Sequence, residues 1–313
     1  MSFDDLPARP PVYPREAEDY ARDALTLSRR AAARVRACPD LPYGDDYWQK
    51  LDIYLPDDAA PGAALPVLLF AHGGAWTHGY KEWMGLMAPA LVETPAILVS
   101  VSYRLAPECR FPGPLEDCVA ALAWVHRHIG EYGGDPGRLF VGGHSAGGHL
   151  YTLASLQPAR LARAGLPAGV IRGCMAICSQ LNLVFEDPPA GSGEARIYEQ
   201  FLARAGDDRA ASPLHQLPPD GAPPPFLLVH GENDFPRIIA SNRRMLAALK
   251  RHHLPVRFQI EPGASHFDVA LRLADPQCAT TATLRAWLRD GPSGLESPRE
   301  DHSCPSAVHP GEE

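Results

Sequence analysis

The sequence predicts an α/β fold: a mostly parallel central sheet of about eight strands, flanked by helices, with a small cap. Three observations point to it. Strand-like runs near 49–55, 67–71, 97–102, 139–142, 170–178, 226–230 and 256–261 are separated by helical patterns near 81–92, 114–130, 147–156 and 237–251. Such alternation joins parallel strands by helical crossovers. The run Pro66-Val67-Leu68-Leu69-Phe70-Ala71 is apolar throughout, as a strand covered on both faces must be. Glycine-rich turns follow directly on the strand ends, at His72-Gly73-Gly74 and Gly143-His144-Ser145-Ala146-Gly147.

The chain has 313 residues, enough for one domain of about 250 with appendages. A formal charge of −8 argues against nucleic acid or an anionic membrane as partner, since both need a basic face. A small-molecule partner fits better. Nothing in the sequence sets an oligomeric state, and a homodimer stays open. The amino terminus has neither a basic nor an apolar leader region, and no run approaches about 18 apolar residues, so a cytoplasmic location is expected. Seven scattered cysteines without Cys-x-x-Cys pairing imply free thiols and no metal site; Cys174 and Cys178 fall in an apolar strand and should be buried.

From the amino terminus, residues 15–37 read as a helix bracketed by Pro14 and Pro39, with Tyr20, Leu25, Leu27 and Val35 as anchors. Residues 1–43 are taken as a helical arm and 44–290 as the main domain. The strand 67–71 runs into His72-Gly73-Gly74-Ala75-Trp76. Backbone N–H groups of Gly73 and Gly74, unobstructed by side chains, suit the stabilisation of an oxyanion, worth about 3 to 4 kcal/mol per donor. Trp76, with Tyr80 and Trp83 beyond it, could wall an aryl substrate.

The next strand, Leu139-Phe140-Val141, delivers Ser145 at the centre of Gly-x-Ser-x-Gly. Strand, glycine-flanked serine and helix in that order make a nucleophile elbow, with the N–H of Ala146 as a further oxyanion donor. A serine hydroxyl is scarcely ionised at neutral pH, so a histidine must take its proton and an acid must orient that histidine. Both should follow the serine, each after a later strand. Phe226–His230 delivers Gly231-Glu232-Asn233-Asp234, and Val256–Ile260 leads to His266. Asp234 is taken as the acid, with Glu232 as competitor two residues nearer the strand end, and His266 as the general base. His144 points off the elbow. His149, one helical turn past Ser145, is read as packing with some chance of touching substrate.

Between Ser179 and Pro225 lies a long stretch rich in proline, glycine and charge, with one helical piece from Arg196 to Ala205; it is read as a cap over the pocket. Residues 291–313 cannot bury enough apolar surface to order and are expected to be disordered.

Over about 44–290 these residues resemble the α/β-hydrolase superfamily. His72-Gly-Gly-Ala-Trp76, Gly143-His-Ser-Ala-Gly-Gly-His-Leu150, Asp234-Phe-Pro236 and His266-Phe-Asp268 resemble the kynurenine formamidase (arylformamidase) family, whose members remove an N-formyl group from an aromatic amine. Ser102-Tyr-Arg-Leu-Ala-Pro-Glu108, Phe111-Pro112, Leu115-Glu-Asp117 and Trp124 are similar to the hormone-sensitive-lipase-like carboxylesterases. The chain departs from the esterase pattern at Ala75, where a third glycine is usual, and at His144, where an acid is usual. It departs from the formamidases, which tolerate an aromatic, at the same Ala75. The resemblance supports Asp234 over Glu232 by spacing, implies a structural acid at Asp117, and suggests that the amino-terminal arm packs over the active-site mouth. It implies a serine hydrolase without cofactor, acting on a small ester or aryl-formamide. A non-catalytic small-molecule receptor and an acyltransferase using the same three residues are the alternatives.

Overall fold

The computed structural model describes residues 3, 6–8, 14–204, 206–218, 223–292 and 295. Eight strands, β1 (Arg36–Pro42), β2 (Lys50–Leu55), β3 (Leu65–Ala71), β4 (Ile97–Val101), β5 (Gly134–His144), β6 (Ile171–Ile177), β7 (Phe226–Asn233) and β8 (Val256–Ser265), form one sheet in the order β1-β2-β4-β3-β5-β6-β7-β8. The strand β2 is antiparallel to both neighbours, and β3 through β8 are parallel throughout.

Alternate side chains of the inner strands enter opposite layers, as the two-residue period of a strand requires. Val67, Leu69 and Ala71, with Val99, Val141, Cys174 and Leu228, face the layer that holds α3 (Gly113–His128) and α4 (Ala146–Ser155). Leu68, Phe70, Leu98, Phe140, Met175 and Leu227 face the other, built from α1 (Glu16–Ala32), the 3-10 turn Lys81–Met87, α2 (Ala88–Val92), α9 (His266–Arg272) and α10 (Ala279–Asp290). Both faces are therefore dry, which explains why these strands read as unbroken apolar runs. Three short helices, α5 (Pro158–Arg163), α6 (Gly193–Arg196) and α7 (Asp207–Ala210), and the longer α8 (Pro236–Arg251) complete the chain.

The amino-terminal expectation needs correction. The helix stops at Ala32 rather than reaching 37, and residues 36–42, inside the expected arm, form the edge strand β1. Two prolines, Pro39 and Pro42, disguise it; an edge strand tolerates them because one side of its backbone needs no partner. The pattern near 81–92 divides into the 3-10 turn and the five-residue α2, and the helices α9 and α10 were not anticipated. In the segment 179–225, the piece expected over 196–205 is α6 followed by a π-turn at Ile197–Phe201; Ala205 lies outside the described residues. The tail expected to be disordered lies outside them too, apart from 291, 292 and 295.

Candidate active site

The carboxyl ends of β3, β5, β7 and β8 lie on one side of the sheet because those strands are parallel, and each delivers a predicted residue there. Ser145 follows β5 directly with φ 52° and ψ −115°, a region where a side chain is strained. Its N–H donates to the carbonyl of Ile177 at 2.8 Å, and its carbonyl accepts from His149 at 3.0 Å, so it serves both as the end of the strand and the cap of α4. Only glycine fits around it. A Cβ at Gly147 would stand 2.2 Å from the carbonyl oxygen of Ala71, and one at Gly143 would stand 2.4 Å from the backbone of Gly147. The serine side chain stays part-exposed while its neighbours are buried.

On the β3 side, Gly73 lies against the elbow: a Cβ there would approach Ser145 Cβ to 3.2 Å. Gly74 adopts φ 113°, and its carbonyl accepts from Thr77 and His78 in a tight turn. Ala75 and Trp76 follow at φ 51° and 63°, so the strained backbone is gathered at the same sheet edge as Ser145. His72 anchors this loop from beneath. Its Nδ1–H donates to the Gly73 carbonyl at 2.7 Å, its ring stacks on Tyr103 at 4.4 Å, and burial lowers its pKa to about 4. The N–H of Ala146 is the first of α4 and has no partner within the helix. Gly73 and Ala146 thus border the serine, and Gly74 turns the loop that carries Gly73.

Asp234 and His266 are brought together. Nδ1 of His266 donates to Asp234 Oδ1 at 2.8 Å, and both side chains are buried. Burial alone would raise the Asp234 pKa, yet the hydrogen bond and charge of His266 bring it below the usual carboxylate value. Because Nδ1 carries the proton on that bond, Nε2 of His266 is left as an acceptor. His266 is held as the first residue of α9 by a capping box in which Ser265 and Asp268 exchange hydrogen bonds. Glu232, the competing acid, is exposed and accepts from the Gly263 N–H at 2.7 Å, bracing the β7 and β8 loops.

His144 is closer to the chemistry than its position suggested. Its Nε2–H donates to the His266 carbonyl at 3.1 Å, with ring centres 4.7 Å apart, and burial followed by the charge of His266 lowers its pKa to about 3. No sequence signal marks this contact, which joins residues 122 positions apart. His144, Cys178 and His266 place potential ligand atoms within 4.8 Å of one another. One ring nitrogen of each histidine is already engaged, His266 Nδ1 by Asp234 and His144 Nε2 by the His266 carbonyl, and His144 Nδ1 is buried without a partner.

Trp76 and His149 are both buried. Trp76 stacks on Phe201 at 4.3 Å and donates from Nε1 to His149 Nδ1 at 3.1 Å, while His149 Nε2–H donates to the Ala211 carbonyl at 2.7 Å. Neither ring nitrogen of His149 is left for a ligand. The pair ties the Gly73 loop and α4 to the segment 179–225, which is fastened further by Ser212 and Ser241, acceptors for the N–H groups of Leu183 and Leu181. Trp83 is core, packed edge-on against Tyr20 of α1, and Tyr20 in turn stacks on Phe267 beside His266. The amino-terminal helix therefore supports the site through Tyr20. Asp117 is structural, as the resemblance implied: it accepts from the backbone and guanidinium of Arg104 and from Gln49.

A protein-family profile described as alpha/beta hydrolase fold matches residues 68–269. The chain belongs to the α/β-hydrolase family. This α/β-hydrolase is 32% identical to esterase LipQ of Mycobacterium tuberculosis over 86% of its own length and 68% of that protein's. It is 31% identical to esterase LipC of the same organism over 72% of its length, spanning 59% of that relative. A hyperthermophilic esterase from the archaeon Pyrobaculum calidifontis superposes with a TM-score of 0.70 at 23% identity, covering 91% of this chain and 94% of the other. That likeness concerns the fold. Among the described residues, no helix of this α/β-hydrolase is long and apolar enough to cross a membrane.

Proposed function

We propose that the protein is a serine hydrolase that cleaves a carboxylic ester of a small molecule through an acyl-enzyme. The 2.8 Å bond from His266 Nδ1 to Asp234 carries this reading, because it prepares Nε2 to take the proton of Ser145. In the first half-reaction the Ser145 Oγ attacks the ester carbonyl carbon as its proton passes to His266. The oxyanion that forms is held by the N–H groups of Gly73, Gly74 and Ala146. Collapse breaks the bond to the alkoxy oxygen, which leaves with the proton from His266. Water then repeats the sequence on the acyl-enzyme, releasing the acid. Each proton and charge in this cycle has a residue of the chain to receive it, so the cycle calls on no metal or cofactor.

The names of LipQ and LipC as esterases support an ester substrate. Trp76 and His149 act on that substrate indirectly, by holding the cap to the loop of Gly73. The test is turnover of 4-nitrophenyl butyrate, with N-formylkynurenine as the aryl-formamide arm and labelling by a fluorophosphonate probe. Ester turnover and labelling, both abolished by Ser145→Ala, support the reading. Tight small-molecule binding without labelling would move it to a receptor, and transfer to an added alcohol faster than to water would move it to an acyltransferase.

A further inference from the structure

Among the described residues, one cation beside the catalytic loop has no carboxylate at ion-pair distance. Arg237 is the second residue of α8, three positions after Asp234. Its guanidinium carbon lies 4.9 Å from the centre of the Phe235 ring, and that ring lies 4.9 Å from the ring of His266. The guanidinium is therefore no farther from the imidazole than the sum of those two separations. On its other flank is the cap, where a Cβ built on Gly193 would stand 3.5 Å from the guanidinium carbon. Arg237 thus sits where the cap meets the acid and histidine loops.

One of its donors is buried and unsatisfied there. The Nε atom is buried and makes no hydrogen bond, although an unpaired buried donor costs stability. Asp234 and Glu194 of α6 are the carboxylates that act on it, but among the described residues neither closes to ion-pair distance. Asp234 Oδ1 is instead held by His266 and by the Phe235 N–H at 2.7 Å. Burial works against the charge of Arg237, while these two carboxylates favour it. The contrast within the same chain is Arg104, whose Nε and Nη2 both bond to Asp117. A guanidinium keeps its charge at any working pH and presents a planar fork suited to a carboxylate.

We propose that Arg237 is an anion subsite of the hydrolase, and that the preferred substrates are esters carrying a free carboxylate away from the scissile bond. A lone guanidinium balances one negative charge, which suits a carboxylate better than a dianionic phosphate. At the cap residue Gly193 a Cβ would already touch the guanidinium at 3.5 Å, so glycine there keeps a side chain from crowding Arg237. This inference rests on the ester-hydrolase reading above.

The experiment compares matched esters on the full-length protein. On the acyl side, 4-nitrophenyl butyrate is set against 4-nitrophenyl hydrogen succinate, which adds a terminal carboxylate. On the alcohol side, the butyrate ester of 4-hydroxybenzamide is set against that of 4-hydroxybenzoate. The wild-type protein should favour the anionic member of one pair through KM, and that pair identifies which side of the ester faces Arg237. Arg237→Gln should lower the anionic-to-neutral ratio of kcat/KM by about tenfold or more, and Arg237→Lys, which keeps the charge but not the fork, should fall between. Equal handling of both pairs by the wild-type protein, or a ratio unmoved by Arg237→Gln, overturns the subsite while leaving the ester-hydrolase reading intact. No turnover of any of the four esters would instead sink that reading.

Discussion

His266 and Asp234, which lie 32 positions apart, meet through a 2.8 Å hydrogen bond from ring Nδ1 to carboxylate Oδ1. The same oxygen accepts from the Phe235 N–H, so the carboxylate cannot rotate without losing both bonds. Replacing Asp234 by Asn presents a neutral group that can offer an N–H toward Nδ1 and favours the wrong tautomer of the imidazole. Asp234→Asn should therefore lower kcat for 4-nitrophenyl butyrate on the order of a thousandfold to ten-thousandfold with little change in secondary structure. Circular dichroism beside the kinetics separates lost chemistry from lost fold. Activity within tenfold of wild type would remove Asp234 from the mechanism.

The backbone at Ser145 makes a second prediction that activity alone would miss. At φ 52° a Cβ is strained, and glycine relieves that strain where alanine does not. Ser145→Gly and Ser145→Ala should both be inactive, but the glycine variant should be more stable by about 1 kcal/mol, a rise of some 2–4 °C in melting temperature. Equal melting temperatures for the two variants would mean that the elbow stores no strain.

Three buried imidazoles make the fold sensitive to acid. In the unfolded chain each takes its proton near pH 6.5, whereas burial delays this to about 4 for His72 and His149 and about 3 for His144. Across that interval the unfolded state binds more protons, so stability is complete above pH 6.5 and declines as pH falls, by on the order of 3 kcal/mol per group when the lower value is reached. Asp52 opposes them: burial raises its pKa to about 6, so the folded state binds its proton first. The three histidines outweigh the one acid. Melting temperature should be about 10 °C lower at pH 5 than at pH 7, and a flat profile between those values would show that the rings are hydrated in solution.

How much of this was legible depends on whether the signal was local. The inner strands β3, β4, β6 and β7, and β5 from Leu139 on, were readable because their apolar runs are buried on both faces, while the edge strand β8 was readable from the alternation over Val256–Ile260. Ser145 was readable because the crowding at Gly143 and Gly147 leaves glycine as the only fit, and the order of strands then pointed to Asp234 and His266. The edge strand β1 was not, since Pro39 and Pro42 look like helix stops until the one-sided pairing with β2 is known. Two further helices carry local signals of their own: the Ser265–Asp268 capping box at the start of α9, and Leu284, Trp287 and Leu288 at helical spacing in α10. The contact of His144 with His266 and the bridge through His149 join segments distant in sequence, and no local pattern encodes them.

That bridge supports the last prediction. His149 accepts from Trp76 on one nitrogen and donates to the Ala211 carbonyl with the other, so one imidazole links the loop after β3 to the segment 179–225. Phenylalanine at 149 keeps the volume of the ring but leaves a buried indole N–H and a carbonyl without partners. Each orphaned group costs about 1–3 kcal/mol, so His149→Phe should lose about 2–4 kcal/mol, seen as a fall of about 5–10 °C in melting temperature. Trp76→Phe removes a donor and leaves only an imidazole acceptor unpaired, and it should cost less. If His149 met substrate directly, His149→Phe would change KM while leaving the melting temperature where it was. A protein with both ring nitrogens engaged by its own chain should show the reverse.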